Sequence, residues 1–374
     1  MTAGQDRESG RVVTLDLLRG LAAFAVMVPH YFIYHRRGAG TLAETISIAA
    51  VEVFFVLSGF VLGPQIVLCV TRGNWVTLRT FLVRRWMRTI PSYIVALLAI
   101  SIIFGEIGTP DFYRYMFYVQ NLFWQHNTRD FYPVAWSLSI EEWYYAAFPV
   151  IVLAFGYLRR KNPGVWRQCV IAAIFFIVAI TLGRIAFGST SDWGGAVRRV
   201  VVFRIDSIAY GFLLYLFLVR AKLVWDLRLR CAASLALVAT TASILYLDAA
   251  LLAGDPSALL RYLHPIAAAA FGMSAVMFFL SMDAFVTPGR LKAICGYMGH
   301  ISYPIYLFHL AVLFGLARAA PEQGDLIGIA LYIAGTALIA TLFYYAFEQP
   351  ILAARPRYSL TRLSEPIGPT PTPE

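Results

Sequence analysis

Apolar residues recur along the chain in ten long blocks, near residues 14–34, 47–70, 80–104, 136–157, 168–187, 200–219, 231–252, 264–282, 299–317 and 326–347. A helix rising about 1.5 Å per residue needs about 20 such residues to cross the hydrocarbon core of a bilayer, and each block suits that length. Barrel strands are shorter and alternate, whereas these runs are continuous; backbone groups in lipid must then pair within their own segment, as a helix does. The pattern predicts an all-α integral membrane protein, a bundle of about ten transmembrane helices over residues 14–350. A short tail of residues 1–13 precedes the bundle, and residues 351–374, with Thr370-Pro371-Thr372-Pro373 near the end, read as a disordered tail.

Composition agrees: 59% of the 374 residues are hydrophobic, 14% are charged, and the mean hydropathy is +0.67. The formal charge of +10 gives the bundle an orientation. With the amino terminus inside, 20 Lys and Arg fall in inner segments and 8 in outer ones, leaving Arg19, Arg184 and Arg204 within spans. Both termini are therefore expected in the cytoplasm, and the cell inner (cytoplasmic) membrane is the expected location. The positive charge reads as topology and contact with anionic headgroups, and no nucleic-acid motif accompanies it. Cys69, Cys169, Cys231 and Cys295 all fall at inner ends of spans, so disulfides are not expected. The first span is too long and too charged for a cleaved signal peptide and is expected to stay.

The candidate chemistry lies where polar residues interrupt the apolar blocks. Asp16, Arg19 and His30 all occupy the first span, where ionisable groups are costly and mark function by default. Arg19 and His30 are eleven residues apart, which returns them to within roughly 20° on the helix surface and about 16 Å apart along its axis. One face thus carries two chemistries at two depths. The plainer reading makes Asp16 and Arg19 an interfacial pair and His30 a packed core histidine. At the inner end of the third span, Arg84, Arg85 and Arg88 form a basic cluster, either an orientation signal or a site for anionic oxygens. In the fourth span Ser137, Glu141 and Tyr145 recur every four residues as one polar ridge, with Glu142 about 100° away and assigned a different task. That ridge lies in the outer half, at the level of His30, so base and carboxylate are expected to meet. Ser58, Gly59 and Gly63 read as packing surfaces, and Glu52 as a carboxylate at the outer end facing water. Residues 112–124 read as an aromatic interfacial helix or an acceptor groove. Asp206 opens the sixth span, and His309 places a second histidine within the membrane. No metal-ligand spacing, Walker loop or dinucleotide fingerprint is present, and no metal is expected.

Taken in order, Asp16 with Arg19 and His30, the Phe54-Phe55-Val56-Leu57-Ser58-Gly59-Phe60 run, Arg84-Arg85 through Arg88 and Pro91, Trp136 through Glu142, Ser302-Tyr303 through His309, and Glu348-Gln349-Pro350 resemble acyltransferase family 3. The resemblance implies about ten transmembrane helices and transfer of an acyl group, commonly acetyl from acetyl-CoA or another acyl-CoA, to a hydroxyl of a carbohydrate or other acceptor. It places the paired arginine and histidine on Arg19 and His30, the arginine motif on Arg85 and Arg88, and the Ser-Glu-Tyr ridge on Ser137, Glu141 and Tyr145. On that reading His30, Glu141 and Glu142 are catalytic, and Arg19, Arg84, Arg85 and Arg88 bind acyl-CoA. Asp16, Ser137, Tyr145, Asp206 and His309 bind acceptor or support the site. A neutral imidazole suits a base taking the hydroxyl proton, with Glu141 orienting it; Glu141 itself as base stays open. A glycan or glycolipid is the favoured acceptor, and a macrolide-like small molecule the alternative. Two other classes remain: a transporter or flippase using the same buried charges, although no convincing repeat is visible, and a non-catalytic membrane sensor or assembly subunit.

Overall fold

The computed structural model describes residues 12–35, 40–125, 130–158, 164–188, 193–254, 257–286, 289–319 and 325–358. Its long helices are α1 (Val13–His35), α2 (Gly40–Arg72), α3 (Trp75–Phe104), a short α4 (Pro110–Met116), α5 (Ala135–Leu158) and α6 (Val165–Phe187). They continue through the broken pair α7 (Val201–Arg204) and α8 (Ser207–Ala221) to α9 (Leu227–Leu252), α10 (Ala258–Met282) and α11 (Arg290–Ala319). α12 (Asp325–Phe343) then runs through a π-helical turn at Tyr344–Glu348 into α13 (Gln349–Ala353). Among the described residues there is no strand, and ten helical segments are long and apolar enough to cross a membrane. The protein is an all-α multi-pass membrane bundle. Much of the predicted tails, residues 1–11 and 359–374, lies outside the described residues.

Helix α1 is the axle: it packs chiefly against α11 and α2, and α2 in turn packs against α8 and α10. Small residues set the α2–α8 contact. A Cβ added at Gly59 would fall on the Ile208 carbonyl, and one at Gly211 on the Val56 carbonyl, so the two backbones touch where side chains would hold them apart. Helices α6, α9 and α12 carry exposed apolar faces, including Phe175, Leu182, Leu235, Val238, Leu338 and Leu342, as lipid-facing surfaces require.

Several helices differ from their predicted bounds for local reasons. The third begins at Trp75, ahead of the apolar block, because the Asn74 side chain caps it by accepting from the Thr77 amide at 2.8 Å. It ends at Gly105, whose φ of 72° is the left-handed conformation a helix stop favours. The sixth block is broken between α7 and α8, and Arg184 of α6 repairs the break, donating to the Phe203 carbonyl at 2.8 Å and to Asp206 at 2.6 Å. Asp206, expected to bind acceptor or support the site, is held by Arg184 and lines none of the cavities described below. Glu52, predicted to face water, is 1% exposed and accepts from Arg204 through both oxygens at 2.5 Å. A carboxylate at that depth needs a charged partner, which α2 finds on α7.

The aromatic stretch after α3 turns inward rather than forming a groove. Phe112, Tyr115 and Tyr118 are buried, Tyr118 stacks on Tyr93 with centroids 4.5 Å apart, and the Tyr93 hydroxyl donates to the Tyr115 carbonyl at 3.0 Å. Tyr113, Phe117, Phe123 and Trp124 stay exposed, at the place expected of an interfacial belt. The start of α7 is stitched to the same segment: Val201 and Val202 amides donate to the Asn121 and Leu122 carbonyls.

Candidate active site

Two cavities approach each other from opposite ends of the bundle, and α1 runs past both. At one end a vestibule of about 960 Å³, its open mouth included, is lined by Asp16, Arg19, Arg88, His300, Glu348 and Arg355 among others. It gathers the start of α1 and the end of the last span, so the chain returns to the side on which it began. Arg19 and Arg88 also line a deeper cavity of about 850 Å³ that holds Arg85, Ser58, Glu141 and Tyr145. Vestibule and inner cavity therefore share two guanidinium groups. Arg19 forms an ion pair with Asp16 at 3.3 Å, whereas Arg85 donates to the neutral Gln65 at 3.2 Å, which orients it without offsetting its charge.

Within the inner cavity the predicted ridge holds: Ser137, Glu141 and Tyr145 all line it, as one face of α5 must. Glu141 accepts from Tyr145 at 2.9 Å and from Ser58 at 2.9 Å, one bond to each oxygen. Ser58, assigned to packing from the sequence, is thus a partner of the central carboxylate. The clue was a hydroxyl in an otherwise apolar run, but its orientation depends on how α2 meets α5. Ser137 bonds the Tyr306 hydroxyl at 2.6 Å, and Tyr303 donates to the Thr89 carbonyl at 3.0 Å, tying α11 to α5 and α3.

At the other end, an outer pocket of about 650 Å³ is lined by His30, Tyr34, Glu44, Trp136, Arg198 and Arg199, with Tyr306 at its base. His30 and Glu141 therefore face different cavities, and the expected meeting of base and carboxylate does not occur. Glu141 lies a full helical turn deeper than the start of α5, whereas Val134 and Trp136 form the outer wall. What His30 meets is His309, with ring centroids 5.1 Å apart, and Tyr34, stacked at 5.8 Å. His30 Nδ1 lies 2.7 Å from the Val26 carbonyl, an acceptor only, which assigns the proton to Nδ1 and leaves a lone pair on Nε2. His309 Nδ1 is likewise held by the Ile305 and Tyr306 carbonyls, at 3.1 and 2.9 Å. Tyr306 lines both inner cavity and outer pocket, and it stands where the two come together.

Two other predicted residues face away. Glu142 is buried but lines neither cavity, being turned toward Thr89 and the tyrosine cluster around Tyr93 and Tyr118. Arg84 donates to the Pro356 carbonyl at 2.6 Å and lies over the Tyr358 ring, so it holds the segment after α13 instead of lining the arginine cavity. Above the outer pocket, Asp130 accepts from the Tyr115 hydroxyl at 2.6 Å and from Arg199 at 3.3 Å. Burial pushes the Asp130 carboxyl above its ordinary range, against the opposing pull of that hydroxyl and of Arg199. Among the described residues no cluster of three or more His, Cys, Asp or Glu could hold a metal ion.

Two arginine-lined chambers, a carboxylate held by two hydroxyls and a histidine with a free ring nitrogen suit group transfer between substrates from opposite ends. The family profile described as acyltransferase domain matches residues 12–345, and the chain belongs to acyltransferase family 3. It is 25% identical over 366 residues to the O-acetyltransferase OatA of Staphylococcus aureus, an alignment covering 89% of this chain and 56% of that protein. The peptidoglycan O-acetyltransferase OatA of Listeria monocytogenes is 29% identical over 178 residues, 43% of this chain and 27% of the relative. The chain thus spans about half the length of the Staphylococcus relative. No solved structure matches.

Proposed function

We propose that the protein is an acyl-CoA-dependent O-acyltransferase that moves an acyl group, most simply acetyl, to a hydroxyl of an envelope glycan or glycolipid. The arrangement that carries this reading is the pair of cavities meeting at Tyr306, one rich in arginine and one holding His30. The Lys and Arg excess on the vestibule side favours a cytoplasmic position for it, where acyl-CoA is found. Its phosphates dock on Arg19, Arg85 and Arg88, whose guanidinium forks match phosphate oxygens. The pantetheine arm then reaches inward along α1 toward Tyr306.

The acceptor enters the outer pocket, and His30 Nε2 takes the proton of its hydroxyl as that oxygen attacks the thioester carbonyl carbon. The carbon–sulfur bond breaks, the pair of electrons leaves with the CoA sulfur, and the proton passes from imidazolium to thiolate. His30 is preferred to Glu141 as base because both Glu141 oxygens already accept hydrogen bonds, from Ser58 and Tyr145. Glu141 instead balances the arginines around the donor. Peptidoglycan is the acceptor suggested by the name of the Listeria relative.

Oriented proteoliposomes test the reading. Labelled acetyl-CoA offered at the vestibule side and peptidoglycan fragments at the other should give labelled ester on the fragments. Transfer only when both substrates share one compartment, or no transfer in any arrangement, would overturn it.

A further inference from the structure

The outer pocket holds a cation with no anion assigned to it. Arg198 is 5% exposed, lies over the rings of Trp136 and Trp193 at 4.9 and 5.4 Å, and has a buried Nε with no partner. Among the described residues it enters no ion pair, although acids surround it. Glu52 is bound by Arg204 and Asp206 by Arg184, while Asp248 meets His264 at 2.8 Å through one oxygen and acts on Arg198 through space with no hydrogen bond or ion pair between them. The other cation of the pocket, Arg199, is taken by Asp130. Glu44, an exposed side chain, is the carboxylate that lines the pocket, and it makes no ion pair with Arg198. A guanidinium held between two indoles has lost most of its water, and an anion that reaches it recovers more than it would at an open surface.

We propose that the outer pocket reads charge: Arg198 takes a carboxylate or phosphate borne on a polyhydroxylated acceptor, while His30 faces the hydroxyl to be acylated. This rests on the outer pocket being the acceptor site. It narrows the acceptor to anionic sugars, with the indole faces of Trp136 and Trp193 fixing the guanidinium plane so that it presents its fork in one direction. A neutral glycan would leave that fork without a partner and bind less well.

Binding to the purified full-length chain in detergent, without acyl-CoA, tests the assignment. The probes are N-acetylmuramic acid, its methyl ester, and N-acetylglucosamine 1-phosphate with N-acetylglucosamine as its neutral counterpart. One charge-assisted contact should make a charged probe bind about ten- to a hundredfold tighter than its neutral form. Whichever anion shows the larger preference names the source. Arg198→Gln should erase the preference, Arg198→Lys should keep part of it, and the exposed-site control Arg318→Gln should leave it intact. Equal binding of charged and neutral probes by the unaltered protein, or a preference that survives in a folded Arg198→Gln, would overturn the proposal. Should Arg198→Gln not fold, the unaltered protein and Arg198→Lys still decide. Because the binding assay holds no donor, it is read beside the proteoliposome assay: a clear charge preference in a protein that transfers no acyl group to any acceptor there would sink the catalytic reading alone, and transfer there to a neutral sugar with no preference in binding would sink this one alone.

Discussion

Arg19 and His30 lie on one helix face yet open into different cavities, which in the proposed reaction would receive different substrates. Periodicity alone put them on a common stripe, and the cavities confirm that Arg19 lines the vestibule end and His30 the opposite pocket. The functional consequence is separable kinetics. His30→Ala should lower kcat by about 10² to 10⁴, the usual contribution of a general base, with the Kd for acetyl-CoA unchanged. Arg88→Ala should raise that Kd with a smaller effect on the chemical step, because removing a phosphate partner weakens binding of ground and transition states together. Calorimetric titration beside steady-state rates would separate the two, and a His30→Ala enzyme of normal kcat would refute the base assignment. What a helical period cannot reveal is the far side of each contact. Ser137, Glu141 and Tyr145 were readable as a ridge because their relation is internal to α5. The facing of Glu142 and Arg84 was not readable because it depends on neighbours: the tyrosines of α3 and the following loop for one, the Pro356 carbonyl for the other. Arg198 was visible only as an outer charge, since its setting between Trp136 and Trp193 joins residues far apart in the chain.

Helices, by contrast, were largely legible, and the ten predicted apolar blocks correspond to the ten candidate spans. The blocks fell short where polar residues extend a helix beyond the apolar region, as at the Asn74 cap, and where a helix is broken and the break is satisfied by a residue from another helix, as Arg184 does at Phe203 and Asp206. Contacts between helices depend on shape, which hydropathy does not encode. Gly59 and Gly211 illustrate this, each facing a carbonyl of the other helix at a position where any Cβ would collide. Gly59→Ala and Gly211→Ala should each cost about 1–3 kcal/mol, the range for overpacking a close contact, and lower the melting temperature in detergent. Gly315 sits in α11 with open space around its missing Cβ, so Gly315→Ala should melt at or above the unaltered temperature. If Gly59→Ala melted with Gly315→Ala, the close α2–α8 approach would be wrong. That contact also bears on the site, because α2 carries Ser58, the hydroxyl that holds Glu141, one position from Gly59.

At the scale of the whole molecule, the two-ended architecture raises a problem that neither substrate poses. A membrane protein hollowed from both sides leaves little material between two aqueous compartments, and a cell that stores energy as an ion gradient cannot tolerate a pore. Tyr306 is the residue common to both hollows; its hydroxyl donates to the Val134 carbonyl at 3.1 Å and bonds Ser137, and its ring meets Phe54 edge-on with centroids 5.6 Å apart. Those contacts from α5 and α2 hold the ring between the two hollows, where it is expected to insulate one compartment from the other. Tyr306→Ala should therefore make proteoliposomes loaded with a pH-sensitive dye discharge an imposed proton gradient faster than those carrying the unaltered protein, with or without substrates. Equal discharge rates would place the barrier elsewhere. If the ring is the seal, an acyl group can cross only by displacing it, and each turnover becomes a brief breach of the membrane that closes when the tyrosine swings back.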